Sequence, residues 1–246
     1  PAIFLLTMHN LRKIRLLMTK LTGQLISEME RNITNDSVTE YINRFYKPAS
    51  PELGTLRLEA EAEKVPIILR ETESFLRVLL SIAEPESILE IGCAVGYSAM
   101  FFTEVTGANV VTVEKDPIMA ARAASNVKRL GYGDKIRILE GDGEEVADSL
   151  FEQGETPFDI IFIDAAKSHY KRFLDASLKL CRPGTVVISD NVLLKARTAS
   201  DIYDPMGRHK TNIKKMREYM EYITSDPRLE TTIISCGDGV SVSKIK

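Results

Sequence analysis

The sequence predicts an α/β protein built on a doubly wound, mostly parallel sheet of seven strands, with an antiparallel edge strand and added N-terminal helices. Three observations predict this fold class. A strand, a glycine turn, a helix and a second strand follow one another over residues 88–116, strand and helix patterns alternate up to residue 189, and residues 230–245 have the pattern of a closing hairpin. Alternating strands and helices imply right-handed crossovers between parallel neighbours.

Helical patterns come first along the chain. Apolar residues recur at helical spacing, and segments containing proline separate one helix from the next. The predicted helices are residues 37–47, 52–64 and 71–83. We expect these helices, within residues 29–85, to lie against an α/β core of residues 86–246, so that residues 29–246 form a single domain.

The alternating section supplies the sheet. The predicted strands are residues 88–91, 109–114, 136–140, 158–164 and 185–189. The helical patterns between them are residues 99–106, 118–131, 144–153 and 170–181. A long helix at residues 213–225 leads to two further strand patterns, residues 230–235 and 240–245, joined by the turn Gly237-Asp-Gly239.

The first 28 residues differ from the rest, since they carry four basic residues and no acid before Glu28. An apolar run precedes the basic residues, which is the wrong order for a secretory signal. Three interpretations of this segment are possible: an amphipathic basic helix, a transit-like peptide, or an extension outside the functional domain. We favour the extension.

Composition excludes several classes of function. The net charge of -3 argues against a polycation that binds nucleic acid over its whole surface. Three cysteines without C-x-x-C spacing argue against a disulfide framework or a structural zinc site, so a reducing cytoplasm is the expected location. No apolar run approaches the roughly 18 residues of a membrane span.

Two glycines, Gly92 and Gly96, follow the first predicted strand in the pattern E-x-G-x-x-x-G-x-S, which begins at Glu90. Glycine lets the backbone turn tightly and approach a ligand, and Ser98 is placed to cap the next helix. Glu114 ends the second strand, where an acid can accept hydrogen bonds from a ribose diol. The spacing is neither G-x-G-x-x-G nor a phosphate loop, so it favours a nucleoside without a pyrophosphate.

Polar residues also follow two later strands. Asp164 ends the fourth strand with Lys167 three residues further on, and Asp190 and Asn191 end the fifth strand. Because ligands of open α/β sheets bind at the carboxyl ends of the strands, these residues are expected in one cleft. Two carboxylates and an amide suit Mg²⁺, and Mn²⁺ shares that preference for oxygen ligands.

The glycine pattern with its downstream Glu resembles motif I and the ribose acid of class I S-adenosylmethionine-dependent methyltransferases. Together with F-I-D-A-x-K, S-D-N and Gly237-Asp-Gly239, it makes residues 40–246 similar to the metal-dependent catechol and caffeoyl-CoA O-methyltransferases. The resemblance implies a Rossmann-like methyltransferase fold and a homodimer that uses the N-terminal helices.

The resemblance also implies roles for individual residues. Asp164, Asp190 and Asn191 would bind the divalent cation, and Lys167 would be the general base. The residues expected at S-adenosylmethionine are Ile68, Glu90, Gly92, Gly96, Ser98, Glu114, Gly141, Asp142 and Asp164. Gly141 and Asp142 correspond to the adenine contact, and Ile68 borders the methionine moiety. We expect the pKa of Lys167 to be lowered by a metal and by partial desolvation, which would make a neutral amine available.

Simpler interpretations of these residues exist. The glycine turn could serve packing alone, Lys167 could be a solvated lysine at the start of a helix, and Asp190 with Asn191 could only turn the chain. A non-catalytic S-adenosylmethionine-binding module is the alternative from another class of protein. Such a module would have no reason to keep the cation-binding residues and the base together.

The acceptor must present two adjacent oxygens to a metal, as catechols do and as a 5-hydroxyuridine base does. Residues 192–210 form a local basic segment with Lys195, Arg197, Arg208 and Lys210, which suits phosphate contacts. The segment resembles that of the bacterial branch that methylates 5-hydroxyuridine at the tRNA wobble position to 5-methoxyuridine. The tRNA anticodon loop is therefore the expected partner, with a catechol-like small molecule as the alternative.

Overall fold

The computed structural model describes residues 35–246. The predictions for residues 1–28 lie outside the described residues. Within residues 35–246, no helix has both the length and the apolar character needed to cross a membrane. The cysteines Cys93, Cys181 and Cys236 are free thiols.

One seven-stranded sheet forms the centre of the structure. Its strands are β1 Ser87–Ile91, β2 Asn109–Glu114, β3 Ile136–Glu140, β4 Ile160–Ile163, β5 Val186–Asp190, β6 Leu229–Ile234 and β7 Val240–Ile245. Their order is β3-β2-β1-β4-β5-β7-β6, and β7 runs antiparallel to both of its neighbours while the other pairs are parallel. The predicted doubly wound sheet is confirmed, with the antiparallel pair β6 and β7 at one edge.

Helices cover both faces of this sheet. In the described part of the chain they are α1 Asp36–Asn43, α2 Pro51–Ala62, α3 Arg70–Ala83, α4 Tyr97–Thr106, α5 Pro117–Arg129, α6 Gly143–Glu152, α7 Tyr170–Ser177 and α8 Lys210–Ser225. One apolar cluster joins α2, α3 and α4 to the sheet, and a second joins α6, α7 and α8 to it. The strand order reverses between β1 and β4, which is where a ligand site of an open α/β sheet is expected.

A buried ion pair between Arg57 and Glu73 attaches the N-terminal helices to the core. Each side chain is at most 3% exposed. Tyr97, the first residue of α4, donates its hydroxyl hydrogen to Glu73 (2.7 Å), and Arg57 donates to the carbonyl oxygen of Ile68 (2.9 Å). Because a buried charge is costly unless its hydrogen bonds are satisfied, this network fixes Ile68 relative to the glycine turn.

The first helix of the described residues ends earlier than the sequence predicted. α1 ends at Asn43 rather than at residue 47. The hydroxyl of Tyr46 donates to the buried carboxylate of Glu73, 2.9 Å from Oε2. The helix therefore ends before Tyr46, whose hydroxyl satisfies that buried carboxylate.

Gly92 stands where two central strands end side by side. Its φ is +104°, and a Cβ built on it would lie 2.1 Å from the carbonyl oxygen of Asp164. The amide of Gly92 donates to Val113 (2.9 Å), and the amide of Asp164 donates to Ile91 (2.9 Å). Only glycine fits here, because the backbone after β4 occupies the space of a side chain.

Gly96 has a different role. It is the N-cap of α4 at φ +81°, so the expectation that Ser98 caps this helix is wrong. Ser98 lies inside the first turn of α4. A Cβ on Gly96 would lie 3.3 Å from the Ala123 side chain, so this glycine also lets α4 pack closely on α5.

We predict that Gly92→Ala lowers the free energy of unfolding by about 2–3 kcal/mol more than Gly184→Ala, measured by urea denaturation. Gly184 is the matched control, because its φ is +97° but nothing lies within 4 Å of the position of its Cβ. Both variants carry the strain of a positive φ, and only Gly92→Ala adds a clash with backbone. Equal losses would show that the approach of Asp164 does not constrain this position.

Candidate active site

A cavity of about 440 Å³ opens at the carboxyl ends of β1, β2 and β4. The predicted residues that line it are Ile68, Gly92, Ser98, Glu114, Gly141, Asp142, Asp164 and Lys167. Of the residues expected at a cofactor, Glu90 and Gly96 are absent from the lining. Most of the predicted set thus surrounds one space, which has the size of a small-molecule site.

Glu114 presents an oriented carboxylate at this cavity. One of its oxygens accepts a hydrogen bond from the amide of Ala94 (2.7 Å), and the other accepts from the amide of Asp116 (2.9 Å). The Ala94 amide belongs to the glycine turn, so the turn and the end of β2 hold each other in place. A carboxylate fixed by backbone amides is well suited to accept two hydrogen bonds from a diol.

Glu90 is completely buried, and one of its carboxylate oxygens accepts a hydrogen bond from the hydroxyl of Thr112. Its other oxygen, Oε1, has no hydrogen-bond partner among the described residues. Burial raises the pKa of Glu90 to about 7, although the polar neighbours Ser98 and Thr112 oppose the rise. The residue therefore has an unused acceptor next to the cavity wall.

Asp142 lies at the end of the cavity after β3 and has several partners. It caps α6 by accepting from the amide of Glu144 (3.1 Å), and it pairs with Lys115 (2.9 Å) and Arg172 (3.4 Å). The hydrogen bond from Lys115 is the main cause that lowers the pKa of Asp142. Lys115 also lines the cavity, and sequence reasoning missed it, although its place directly after Glu114 was a usable signal.

The predicted cation ligands converge beside this cavity. Oδ1 of Asp164 accepts hydrogen bonds from Nζ of Lys167 (2.6 Å) and from Nδ2 of Asn191 (3.1 Å). Asp190 is only 1% exposed, and its Oδ1 accepts from the amide of Asn191 (2.7 Å). Asn191 adopts φ +60°, a left-handed conformation that Asn tolerates better than most residues. We name Asp164, Lys167, Asp190 and Asn191 the strand-end cluster.

This donor set fits a hard divalent cation. Oδ2 of Asp190 is buried without a hydrogen-bond partner among the described residues, and burial together with the charge of Asp164 raises the pKa of Asp190. Across residues 35–246 no group of three or more His, Cys, Asp or Glu side chains is arranged so that it could hold a metal ion. A cation here would therefore depend on two carboxylates and an amide, whose oxygens suit Mg²⁺ or Mn²⁺.

The expected lowering of the Lys167 pKa by a bound metal stays a prediction, and in the protein without a cation the pKa is raised. Burial by itself lowers the pKa of Lys167, but the neighbouring Tyr170 and Asp164 outweigh that effect and raise it. Sequence reasoning missed Tyr170, which is buried and accepts a hydrogen bond from Lys167 (2.7 Å) while donating to the carbonyl oxygen of Asp190 (2.8 Å). A tyrosine three residues after a candidate base was the available signal.

The basic segment runs from β5 to α8 and does not line the cavity. Lys195, Arg208 and Lys210 are exposed, and Arg197 is half-buried and donates to the carbonyl oxygen of Tyr203 (3.3 Å). These four cations form no ion pair with another described residue. A neighbouring groove of about 480 Å³ mixes charges of both signs, with Asp201, Asp204, Lys210, Lys214, Arg217, Glu218 and Glu221 in its wall.

A family model described as O-methyltransferase matches residues 51–246, which include the whole cavity and the strand-end cluster. The chain belongs to this family. The matched range begins at α2, so the family pattern covers α2, α3 and the complete sheet. The resemblance inferred from the glycine turn and the strand ends is thus confirmed at the level of the family.

Individual relatives agree with this assignment. A catechol O-methyltransferase of Niastella koreensis is 37% identical over 121 residues, 48% of this chain and 55% of the relative, so the chain spans about half the length of that protein. A caffeoyl-CoA O-methyltransferase of Populus kitakamiensis is 28% identical, over 69% of this chain and 74% of its own length. The crystal structure of a Bacillus cereus O-methyltransferase in complex with SAH superposes with a TM-score of 0.75 at 27% identity, covering 85% of this chain and 97% of that one.

We predict that Glu90→Gln removes a pH-dependent instability. With its pKa raised from 4.5 to about 7, Glu90 stabilises the fold below pH 4.5 and loses that contribution as the pH rises to 7. The loss amounts to roughly 3 kcal/mol relative to the Gln variant. Urea unfolding of both proteins in chelator between pH 4.5 and 8 measures the difference.

The matched control is Glu145→Gln, which removes an exposed carboxylate and should leave the pH dependence of the unfolding free energy as it is in the wild type. A constant difference between wild type and Glu90→Gln at all pH values would contradict the assignment of a neutral, buried carboxyl to Glu90.

Proposed function

We propose that this protein transfers a methyl group from S-adenosylmethionine to a hydroxyl oxygen that has a second oxygen beside it, and that it requires a divalent cation, Mg²⁺ or alternatively Mn²⁺. One observation carries the proposal. Asp164 and Lys167 line the cavity, and Asp164 is also hydrogen-bonded to Asn191 of the strand-end cluster. A methyl donor in the cavity and an acceptor at the cluster would therefore be direct neighbours, as transfer between them requires.

The cavity has the groups that the donor needs. Glu114 would accept hydrogen bonds from the ribose diol, Asp142 with Gly141 would border the adenine, and the buried side chain of Ile68 would border the methionine part. Glu90 and Gly96 do not line the cavity and are proposed to act on it indirectly. Glu90 would act through its neighbour Ser98, and Gly96 would set the position at which α4 begins. The SAH bound to the Bacillus cereus relative supports a donor of this class.

Three residues would hold the cation, namely Asp164, Asp190 and Asn191. A bound divalent cation stabilises an acceptor oxyanion and orients it. Lys167 is the proposed general base, and it must be a neutral amine to accept the acceptor proton. Asp164 holds the ammonium form in the protein without a cation, so sharing the Asp164 carboxylate with a cation would favour the neutral amine. Tyr170 keeps Nζ of Lys167 directed at the cluster.

The acceptor we propose is 5-hydroxyuridine at the wobble position of tRNA, with 5-methoxyuridine as the product. Lys195, Arg197, Arg208 and Lys210 follow the cluster in the chain and have no ion-pair partner among the described residues, which suits contacts to phosphates. A wobble base is already unpaired in the anticodon loop, so its entry requires no duplex melting.

A catechol-like small molecule is the second candidate acceptor. Catechols also present two adjacent oxygens, and the Niastella koreensis relative is a catechol O-methyltransferase. The mixed charge of the groove beside α8, with four acids in its wall, favours this candidate, because acids repel phosphate.

We also propose that the protein is a homodimer that associates through its N-terminal helices in the cytoplasm. α1 and the turn after it expose an apolar face, with Val38 at 48%, Tyr41 at 59%, Ile42 at 45% and Phe45 at 67% of their full accessibility. A second copy of the chain would cover this face, since contiguous exposed apolar patches commonly mark interaction sites.

The test measures methyl transfer from labelled S-adenosylmethionine, with Mg²⁺ or with chelator. The protein is given hypomodified tRNA that carries 5-hydroxyuridine and, in a parallel reaction, catechol. We expect cation-dependent label in tRNA well above that in catechol, falling steeply between 50 and 200 mM salt because phosphate contacts release counterions. Label in catechol alone, indifferent to salt, would establish the small-molecule alternative. Equal transfer in chelator would contradict the cation requirement.

The same assay tests the base. Lys167→Ala should bind S-adenosylmethionine as the wild type does and lose at least about a hundredfold in turnover, because general-base catalysis contributes on that order. Lys171→Ala is the matched control, since Lys171 is half exposed and contacts Asp175 and the ring of Tyr222 rather than the cluster. Full turnover in Lys167→Ala would refute the base assignment. Donor binding without transfer to either acceptor in the wild type would favour a non-catalytic binding module.

A further inference from the structure

The segment after the strand-end cluster contains an unusual backbone. Leu194, Lys195 and Ala196 have φ values of +50°, +54° and +64°, and none of them is glycine. Three successive residues in the left-handed region are unfavourable, because each Cβ comes too close to the following carbonyl oxygen. Such a turn persists only where surrounding structure holds it, and strained backbone of this kind concentrates at functional sites.

Asp238 makes a side-chain contact to this turn, which also has backbone hydrogen bonds of its own, from Arg197 to Leu194 (3.2 Å) and from Thr198 to Leu193 (3.2 Å). Its carboxylate accepts a hydrogen bond from the amide of Lys195, the middle residue of the turn. Among the described residues, it is the only side chain that hydrogen-bonds to the backbone of residues 194–196. The backbone reinforces the contact, since the amide of Leu193 donates to the carbonyl oxygen of Asp238 (3.0 Å) and that of Val192 donates to Gly239 (2.9 Å).

The two glycines that flank Asp238 are in close contact with neighbouring elements. A Cβ on Gly237 would lie 2.5 Å from Oγ1 of Thr72 in α3, and a Cβ on Gly239 would lie 2.4 Å from Cγ of Leu193. The turn Gly237-Asp-Gly239 therefore lies tightly between α3 and the basic segment. Asp238 is presented from a rigid support, so its carboxylate can hold the left-handed turn in one place.

Asp238 also lies near the strand-end cluster. Burial raises the pKa of Asp238, and the charges of Lys167, Lys195 and Arg197 oppose that rise. The charge of Asp238 acts in turn on Asp190. The left-handed turn that Asp238 contacts begins three residues after Asn191.

We propose that Asp238 is a positioning residue for the acceptor, because its carboxylate holds the left-handed turn of residues 194–196 and so fixes Lys195 and Arg197 at the edge of the strand-end cluster. The effect of Asp238 on the acceptor rests on the proposed function. The structural part, that Asp238 maintains the turn, stands independently of any activity.

Amide hydrogen exchange tests the structural part directly. In Asp238→Ala, the amide of Lys195 should exchange at least about tenfold faster than in the wild type, because a hydrogen bond to a charged acceptor is lost. Asp238→Asn keeps a side-chain oxygen as acceptor and should retain most of the protection. Unchanged exchange at Lys195 in Asp238→Ala would overturn the proposal.

A glycine in the turn offers a rescue, and the KM for the acceptor is the readout that separates positioning from stability alone. Ala196→Gly, introduced into Asp238→Ala, removes the steric cost of a left-handed residue without restoring the carboxylate. We expect Asp238→Ala to raise the KM for the acceptor about tenfold and to leave the affinity for S-adenosylmethionine unchanged. The double variant Asp238→Ala with Ala196→Gly should recover at least half of that change in KM on a logarithmic scale. The acceptor is whichever of 5-hydroxyuridine tRNA and catechol the wild type methylates.

Asp159→Ala is the matched control. Asp159 also accepts backbone hydrogen bonds, from Glu86 (2.9 Å) and Ser87 (3.0 Å), but it lies at the amino ends of β1 and β4, away from the cluster. This variant should lower stability and leave the acceptor KM unchanged. Faster exchange at Lys195 without a rise in acceptor KM would overturn the positioning role. A wild type that methylates neither acceptor would instead contradict the proposed function, and the exchange measurement would still decide whether Asp238 holds the turn.

Discussion

The backbone of Asp164 passes within 2.1 Å of the point where a Cβ would stand on Gly92, and the two halves of the candidate site meet at that contact. Gly92 begins the turn that walls the cavity, whereas Asp164 begins the strand-end cluster. Because β1 and β4 are adjacent parallel strands, both features lie at the same edge of the sheet. A side chain at Gly92 would push these backbones apart and separate a donor in the cavity from an acceptor at the cluster.

The buried carboxylates divide into two kinds. Glu73 has both oxygens engaged, by Arg57, Tyr46 and Tyr97, as a carboxylate that serves the scaffold should. Glu90 and Asp190 each retain one oxygen without a partner among the described residues. Unsatisfied buried acceptors are rare and destabilising. Glu90 and Asp190 therefore lower the stability of the fold at two places, one beside the cavity and one in the cluster.

The strands and the order of elements were predictable, because alternating apolar segments and turn residues are local signals that depend only on residues near one another in the sequence. The same holds for Asp164, Asp190 and Asn191, since strand ends can be identified once the strands are. The pKa of Lys167 could not be predicted, because it depends on how near Asp164 and Tyr170 come in space. Asp238 was visible as part of a Gly-Asp-Gly turn, but its hydrogen bond to Lys195 joins residues 43 positions apart.

Direct counting of bound Mn²⁺ by electron paramagnetic resonance, with S-adenosylhomocysteine present, tests whether Asp164, Asp190 and Asn191 form one cation site next to the cavity. We expect one tight Mn²⁺ per wild-type chain, which Mg²⁺ displaces. In Asp190→Asn, which loses a charged oxygen ligand, binding of Mn²⁺ should be weaker by roughly tenfold or more. Equal binding by wild type and Asp190→Asn, or no tight binding by the wild type, would contradict this expectation.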